Sequence, residues 1–98
     1  MSLNRYAAKR DANEPEIISA LRASGFIVCQ LAKPLDLLVG RKGSPHWALL
    51  EVKDADGKLT KDQTEFFQLT EGCTRFIVRS PEEALRVCRV WVDRCADG

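Results

Sequence analysis

Two acidic residues and a lysine in this sequence have the types and the spacing that suit divalent-metal chemistry on phosphate. Asp36 lies near the start of one apolar segment, and Glu51 and Lys53 lie at the end of the next. Because side chains alternate along a strand, Glu51 and Lys53 point to the same face of a sheet. A charged pair at the end of an otherwise apolar strand costs free energy when it is buried without partners.

The two apolar segments are predicted to pair as an antiparallel hairpin that brings Asp36 opposite Glu51. The link over residues 40–45 is rich in turn-forming residues, and the midpoint between positions 36 and 51 falls inside it. Directly opposed residues have Cβ atoms about 5 Å apart. Two carboxylates at this separation repel unless a cation lies between them. The hairpin therefore predicts hard oxygen ligands for a divalent metal ion, with positions left for water and phosphate.

Each of two predicted helices adds a polar residue to the same place. Glu14 in the first helix and Gln63 in the second share the side of their helix that carries an apolar stripe, and so face the sheet. The stripes are Ile17, Ile18 and Leu21 in the first helix, and Phe66, Phe67 and Thr70 in the second. An acid on the buried side of a helix needs a partner, which a metal cluster would supply.

Each of these residues also has an ordinary structural explanation. Glu51 and Lys53 could form a same-face ion pair on an exposed sheet, and Asp36 could simply form a turn. Glu14 could complement the helix dipole, and Gln63 could be only a capping-box residue. The chemical interpretation is favoured because all of them converge on one place in a single plausible fold.

Turn-forming and capping residues divide the chain into elements in the order α-β-β-β-α-β-α. The predicted strands cover residues 26–31, 35–39, 47–53 and 75–78. Helices are predicted to begin at Asn13, at Thr60 with Gln63 completing a capping box, and after Ser80 with Glu83 in the reciprocal position. The last helix should bury Ala84, Leu85, Cys88, Trp91 and Val92. This order predicts an α/β domain with a mixed four-stranded sheet flanked by helices.

Length and composition predict one compact domain over residues 1–98. Residues 1–10 could form a flexible basic arm, in which residues 1–3 could be a tag. No apolar run approaches the roughly 20 residues that span a bilayer, so no membrane partner is expected. The start of the chain also lacks the apolar core of a signal peptide.

The formal net charge of +1 does not by itself indicate a nucleic-acid-binding protein. Local clusters of basic residues are nevertheless candidates for contacts with nucleic acid, although each could equally be a solvated surface charge. They are Arg5, Lys9, Arg10, Arg41, Lys42, Lys58 and Lys61. The four cysteines lack metal-knuckle spacing, so free thiols are expected rather than a zinc site.

At these residues the sequence resembles the PD-(D/E)XK nuclease superfamily and, within it, the VRR-NUC type. The resemblance runs from about residue 10 to residue 67, and more loosely over residues 75–92. Leu35 separates Pro34 from Asp36, so the proline–aspartate pair of the superfamily's name is interrupted. The motifs that match are Asn13-Glu14, Asp36-Leu37-Leu38-Val39-Gly40, Leu50-Glu51-Val52-Lys53-Asp54, and Leu59-Thr60-Lys61-Asp62-Gln63 with Phe66.

The resemblance implies a restriction-endonuclease-like core and an endonuclease that hydrolyses DNA phosphodiester bonds with Mg²⁺, for which Mn²⁺ can substitute. Lys53 would contact the attacking water and the scissile phosphate, and Gln63 would complete the catalytic site. The metal ligands would be Glu14, Asp36, Glu51 and the backbone carbonyl of Val52.

Stand-alone members of this type are phage or bacterial proteins that act on branched DNA such as four-way Holliday junctions, often as homodimers. The resemblance thus implies a DNA partner, a homodimer, and a cytoplasmic location in a bacterium or a phage-infected host. A different class of protein stays open: a catalytically inactive DNA-binding or interaction protein that retains the nuclease fold.

Overall fold

The computed structural model describes residues 12–97, with the side chains of residues 12–95. The proposed basic arm, with Arg5, Lys9 and Arg10, lies outside the described residues. The predicted order of elements is confirmed within them, and the domain is α/β. The elements are α1 (Glu14–Ala23), β1 (Phe26–Gln30), β2 (Leu37–Arg41), β3 (Trp47–Val52), α2 (Lys61–Leu69), β4 (Arg75–Val78) and α3 (Pro81–Asp97).

The strands form one mixed sheet in the order β1-β2-β3-β4. Strands β1, β2 and β3 are antiparallel neighbours, whereas β4 runs parallel to β3. Antiparallel neighbours need only short turns, but a parallel neighbour needs a crossover long enough to return the chain to the starting end. The segment from residue 53 to residue 74, which contains α2, is that crossover.

The hydrophobic core lies on one face of the sheet, beneath α1 and α3. Alternate residues such as Leu37 and Val39 in β2, and Leu50 and Val52 in β3, are fully buried there. The apolar stripe of α1 is buried as predicted, with Ile17, Ile18 and Leu21 in the core. Helix α3 buries Ala84, Cys88 and Trp91, while its Leu85 and Val92 are partly buried against the same core.

Helix α2 lies on the other face of the sheet and is held mainly by polar contacts. Glu51 alternates with buried residues of β3, so it points away from the core, and Gln63 of α2 donates a hydrogen bond to it. Arg75 donates to the carbonyl oxygen of Phe67 and to the hydroxyl of Thr70, and its guanidinium lies over the Phe67 ring. No residue of α2 is fully buried. The predicted stripe of Phe66, Phe67 and Thr70 is half-buried, so α2 packs on the sheet without adding a residue to the buried core.

The capping box predicted for α2 is present. The Thr60 hydroxyl accepts a hydrogen bond from the Gln63 backbone N–H at 3.2 Å, and the Gln63 side-chain oxygen accepts one from the Thr60 N–H at 3.0 Å. The amide nitrogen of Gln63 remains for Glu51. Gln63 thus caps the start of α2 and also bonds to Glu51 of β3.

Replacing Thr60 with alanine should loosen α2 more than the rest of the domain. Loss of an N-cap costs about 0.5–2 kcal/mol, and α2 has little buried apolar surface to offset it. Amide hydrogen exchange of residues 61–69 should accelerate, while exchange in β2 and β3 stays slow. Thr60→Ser keeps the hydroxyl and should exchange like the unmodified protein. Uniform acceleration across the domain would contradict this account.

Four strand boundaries differ from those predicted. Strand β2 covers Leu37–Arg41 rather than residues 35–39, β1 ends at Gln30 rather than at residue 31, and β3 ends at Val52 rather than at residue 53. Leu35 is buried, with 1 % of its surface exposed, but it lies in a bend between β1 and β2. Leu35 is apolar because it is buried in the tertiary structure, and not because it belongs to a strand.

The predicted capping box of α3 is also altered. The Ser80 hydroxyl accepts a hydrogen bond from the Glu83 N–H at 3.0 Å, as expected for a cap. The Glu83 carboxylate, however, accepts from the N–H of Arg79 at 2.7 Å, one residue before the predicted partner. The reciprocal interaction is present but shifted along the chain.

Two further features bear on the sequence-based expectations. In residues 12–97 no helix combines the length and the apolar character needed to cross a bilayer. All four cysteines, at positions 29, 73, 88 and 95, are free thiols.

Candidate active site

The central hairpin brings Asp36 to the end of β3 that carries Glu51. In β2 and β3, Leu37 pairs with Leu50, Leu38 with Leu49 and Val39 with Ala48. Asp36 lies in the bend one residue before β2, and its N–H bonds to Leu50 rather than to Glu51, so the regular register ends at Leu37. Instead of the predicted pairing directly across from Glu51, Asp36 is bonded to Leu50 and Val52, the residues on either side of Glu51.

Backbone hydrogen bonds on both sides fix the position of Asp36. Its N–H donates to the carbonyl oxygen of Leu50 at 3.1 Å, and its own carbonyl accepts from Leu31 at 2.7 Å. Its side-chain Oδ2 accepts a third hydrogen bond from the N–H of Val52 at 2.8 Å. The carboxylate is thus tied to β3, beside the backbone of the residue that follows Glu51.

Glu51 is the centre of a polar cluster in an otherwise apolar strand. Only 2 % of its surface is exposed. Its Oε2 accepts hydrogen bonds from Lys53 Nζ and from Gln63 Nε2, each at 2.9 Å. Its Oε1 is buried and has no hydrogen-bond partner among the described residues. Glu51 therefore offers one oxygen atom that the protein itself does not satisfy.

The surroundings of Glu51 oppose its ionisation. Burial raises the pKa of Glu51 from its ordinary value of 4.5, Lys53 lowers it, and the charge of Asp36 and a hydrogen bond with it raise it, so that the pKa is about 7. Asp36 is thus the charged neighbour that opposes the ionisation of Glu51. A positive charge placed between them would relieve both the repulsion and the cost of burial.

Glu14 is buried on the core side of the sheet, at the first turn of α1. It is 1 % exposed, and its Oε2 accepts a hydrogen bond from Gln30 Nε2 at 3.1 Å. The prediction that Glu14 faces the sheet is confirmed, whereas Glu16 is exposed. Sequence reasoning missed Gln30, for which a lone polar residue at the end of an apolar strand was the available signal.

The oxygen donors at this end of the sheet suit a hard cation such as Mg²⁺. Asp36 and Glu51 supply adjacent carboxylates, and Glu51 Oε1 is the buried oxygen that lacks a partner. Across the part of the chain whose side chains are described, no three His, Cys, Asp or Glu residues form a group that could hold a metal ion. Glu14, on the core side of the sheet, therefore does not form a group with Asp36 and Glu51 as expected, and ligation by Glu14 and by the Val52 carbonyl stays a prediction.

Asn13 connects α1 to the candidate site in a way that the sequence did not indicate. It occupies the N-cap position but makes no side-chain capping hydrogen bond. Its Nδ2 instead donates to the carbonyl oxygens of Lys53 at 3.1 Å and Arg79 at 2.9 Å. Asn13 therefore ties the start of α1 to the ends of β3 and β4.

Arg79 orders the loop that follows Lys53. This residue was not identified from the sequence. Its Nη1 donates to the carbonyl oxygens of Asp54 at 2.7 Å and Gly57 at 2.8 Å. This loop leads from the end of β3 to α2, so it sets where Gln63 lies relative to Glu51. The only signal in the sequence was an arginine directly after a strand.

The predicted nucleic-acid contacts divide into two groups. Lys58 and Lys61 are exposed and flank the start of α2, near the acidic pair. Arg41 and Lys42 lie at the hairpin turn, at the opposite end of β2 from Asp36. The Arg41 guanidinium lies over the Phe26 ring at 4.8 Å from its centroid.

A groove of about 460 Å³ adjoins the candidate site on the side of α2. Gln63 and Phe66 form part of one wall, and Lys33 and Pro34, from the bend before Asp36, form part of the other. The groove is open to solvent and reaches the residue that donates to Glu51. Asp36, Glu51 and Lys53 are not among the residues that line it.

Comparison of the chain with models of protein families, with curated proteins and with solved structures finds no match. The function proposed below rests on the fold and on the geometry of the candidate site.

Proposed function

We propose that this protein is a metal-dependent endonuclease that hydrolyses phosphodiester bonds in DNA, with a restriction-endonuclease-like core of the PD-(D/E)XK superfamily and the VRR-NUC type. The observation that carries the proposal is the buried polar cluster at this end of the sheet, in which Lys53 and Gln63 each lie 2.9 Å from Glu51 Oε2 and Asp36 is bonded to the next residue of β3. Structure-selective cutting of branched DNA by a homodimer belongs to the same proposal.

The same cluster is difficult to explain as a stabilising element. Buried ion pairs seldom stabilise a fold more than apolar residues of the same size would. Here a second carboxylate opposes the first, and one buried oxygen of Glu51 lacks a partner among the described residues. Active sites are the usual place for polar groups arranged at such a cost.

Each polar residue of the cluster has a distinct role in the proposed reaction. Asp36 and Glu51 would hold Mg²⁺, which when bound would act as a Lewis acid on the phosphate and on water. Lys53 would hold the attacking water and stabilise the negative charge that develops on the phosphate. Gln63 would orient Glu51 through the 2.9 Å hydrogen bond.

Cleavage of a panel of labelled DNA substrates tests this proposal. The panel contains single-stranded, duplex, flap and four-way DNA, each incubated with Mg²⁺, with Mn²⁺ and with EDTA. Cleavage should require the metal and should be lost in Asp36→Ala. Undiminished cleavage in EDTA would overturn the proposal. Metal binding that does not depend on Asp36 and Glu51, measured by calorimetry, would favour an inactive DNA-binding protein of the same fold.

The affinity for Mg²⁺ or Mn²⁺ should increase as the pH rises through about 7. Below that pH, Glu51 retains a proton in the metal-free protein, because burial, with the charge of Asp36, raises its pKa to about 7. A metal ion must displace this proton, so the affinity should fall by up to about tenfold per pH unit below 7 and become constant above it. Calorimetry at several pH values measures this dependence. Equal affinities on both sides of pH 7 would contradict it.

A further inference from the structure

The face of the sheet that carries the acidic pair continues into an exposed apolar surface at the other end of β3. Trp47 and Glu51 are four residues apart in one strand, so they share a face and lie about 13 Å from each other. Trp47 remains 47 % exposed, whereas Glu51 is 2 % exposed. Between them, Leu49 is half-buried and pairs with Arg75, which is bonded to α2, so a ligand that reaches both Glu51 and Trp47 would pass on the β2 side of this helix.

The Trp47 ring lies directly on the backbone of β2. Gly40 is paired with Trp47 in the sheet, and a Cβ atom at Gly40 would lie 2.7 Å from both Cε3 and Cζ3 and 3.1 Å from Cδ2 of the indole. These similar distances place the face of the ring, and not its edge, over Gly40. The absence of a side chain at position 40 lets the indole lie flat, with its opposite face toward solvent.

Ile27 extends this surface across β1. It is paired with Gly40 on the side away from Trp47, and 42 % of its surface is exposed. We call the row Ile27–Gly40–Trp47 the platform. Helix α2 contacts the same face through Glu51 and Arg75, at the β3 and β4 side. The platform thus remains open beside the candidate active site.

We infer that the platform binds an unpaired base of the DNA substrate by stacking, a few nucleotides from the bond held at Lys53. This inference rests on the proposed nuclease function. An indole with one face on the backbone and the other in solvent suits stacking by a planar base, which is worth about 1–3 kcal/mol per base. The 13 Å separation corresponds to about four nucleotides at a stacked rise of 3.4 Å, and to fewer in an extended strand.

Single-stranded DNA fits the platform better than duplex DNA does. Bases inside a duplex are already stacked on both sides, so their faces are not accessible to Trp47. Lys42, exposed in the hairpin link, is available for the backbone beside the platform, whereas Lys53 at the other end of β3 is 13 % exposed and ion-paired with Glu51. The substrate class is therefore DNA with an unpaired segment beside the cut.

Intrinsic fluorescence can test the inference, because the protein has two tryptophans in different environments. Trp47 is 47 % exposed and Trp91 is 7 % exposed. Titration with a short oligothymidylate in EDTA, where cutting is blocked, should quench the emission in a saturable manner. Trp47→Phe should remove this quenching and leave the emission of Trp91, whose short-wavelength maximum, typical of a buried indole, shows that the variant is folded.

The affinity for a labelled oligothymidylate, measured by anisotropy, should fall by about 5- to 150-fold in Trp47→Ala, the range equivalent to the stacking of one base. Val90→Ala is the matched control, because Val90 is an equally exposed apolar residue, 47 % exposed, on α3. It should bind like the unmodified protein. An affinity in Trp47→Ala equal to that of Val90→Ala would overturn the inference.

The inference and the proposed function can fail separately. Metal-dependent cleavage together with unchanged DNA binding in Trp47→Ala would overturn the inference of base stacking and leave the proposed nuclease function. Saturable quenching of Trp47 without cleavage of any substrate would support base stacking on the platform and overturn the proposed nuclease function. Absence of quenching, with a dimer mass that becomes monomeric in Trp47→Ala, would show that a second copy of the chain covers the platform, and would overturn the inference.

Discussion

Replacing Glu51 with glutamine should abolish metal-dependent cleavage and at the same time stabilise the metal-free protein above pH 7. Cleavage should fall by on the order of 1000-fold or more, because a bound divalent cation contributes several kcal/mol to transition-state stabilisation. The gain in stability follows from burial, since Glu51 is 2 % exposed and its surroundings favour the neutral form. Glutamine has nearly the same shape and no charge.

The sign and the pH range of the stability change follow from the raised pKa. Glu51 ionises at about 7 in the folded protein and near its ordinary value of 4.5 in the unfolded chain. The stability that comes from its protonated form is therefore complete below pH 4.5 and is lost as the pH rises through 7. Glutamine stays neutral at every pH and so keeps this stability. Above pH 7 the Glu51→Gln variant should therefore be more stable than the unmodified protein by on the order of 3 kcal/mol.

Urea unfolding in EDTA and reductant, at about pH 5 and about pH 8, measures this difference. Glu16→Gln is the matched control, because Glu16 is an exposed carboxylate on α1. Its unfolding free energy should change by less than about 0.5 kcal/mol at both pH values. A Glu51→Gln variant that is less stable than the unmodified protein at the higher pH would show that the carboxylate contributes to the fold.

The parts of this fold that could be predicted from the sequence depend on local patterns. The antiparallel pairing of β2 with β3, which brings Asp36 near Glu51, followed from one turn and strict alternation, and the register confirms this pairing. The burial of Glu14 followed from helical spacing, and the hydrogen bonds of Gln63 and Thr60 followed from a capping box three residues long. In each case the partners are close in sequence or connected by one regular element.

The parts that could not be predicted involve partners that are distant in sequence. Asn13 was correctly placed at the start of α1. Its side chain, however, donates hydrogen bonds to Lys53 and Arg79, which lie 40 and 66 positions later in the chain. Arg79 orders a loop 22 to 25 positions earlier. A single sequence contains no pattern that specifies such pairs, because they arise only after the sheet and helices have packed.

Trp47 shows a third reason why a feature of the structure was not predicted from the sequence. Its position in β3 was predicted, but its exposure was not, since an aromatic residue in a strand is normally assigned to a buried face. The pairing of Trp47 with Gly40 decides its orientation, and this pairing depends on the register. The glycine was interpreted only as part of a turn-rich link, although it lies within β2.

Replacing Lys53 with methionine should also remove cleavage, but with the opposite effect on stability. Loss of one group that stabilises charge in the transition state costs about 100- to 1000-fold in rate. The Lys53 side chain is only 13 % exposed and bonds to Glu51 at 2.9 Å, so its removal leaves a buried carboxylate beside Asp36. Unfolding free energy at about pH 8 should fall by about 1–3 kcal/mol.

This loss of stability should depend on pH. Lys53 lowers the pKa of Glu51, so the methionine variant should raise that pKa above 7. At about pH 5, Glu51 is protonated in both proteins and the difference in stability should be small. The difference should grow as the pH rises above 7, because only the unmodified protein then gains the ion pair. Lys58→Met, at an exposed lysine, should change stability by less than about 0.5 kcal/mol throughout.

Together the Glu51 and Lys53 variants separate loss of chemistry from loss of structure. If both are inactive while one is more stable and the other less stable than the unmodified protein, then activity does not follow stability. The acid and the ammonium would then act on the substrate, and the raised pKa of Glu51 would be a cost that the fold carries for that purpose. If both variants lose stability in parallel, with the same pH dependence, the pair is an ordinary buried ion pair and the proposed active site is wrong.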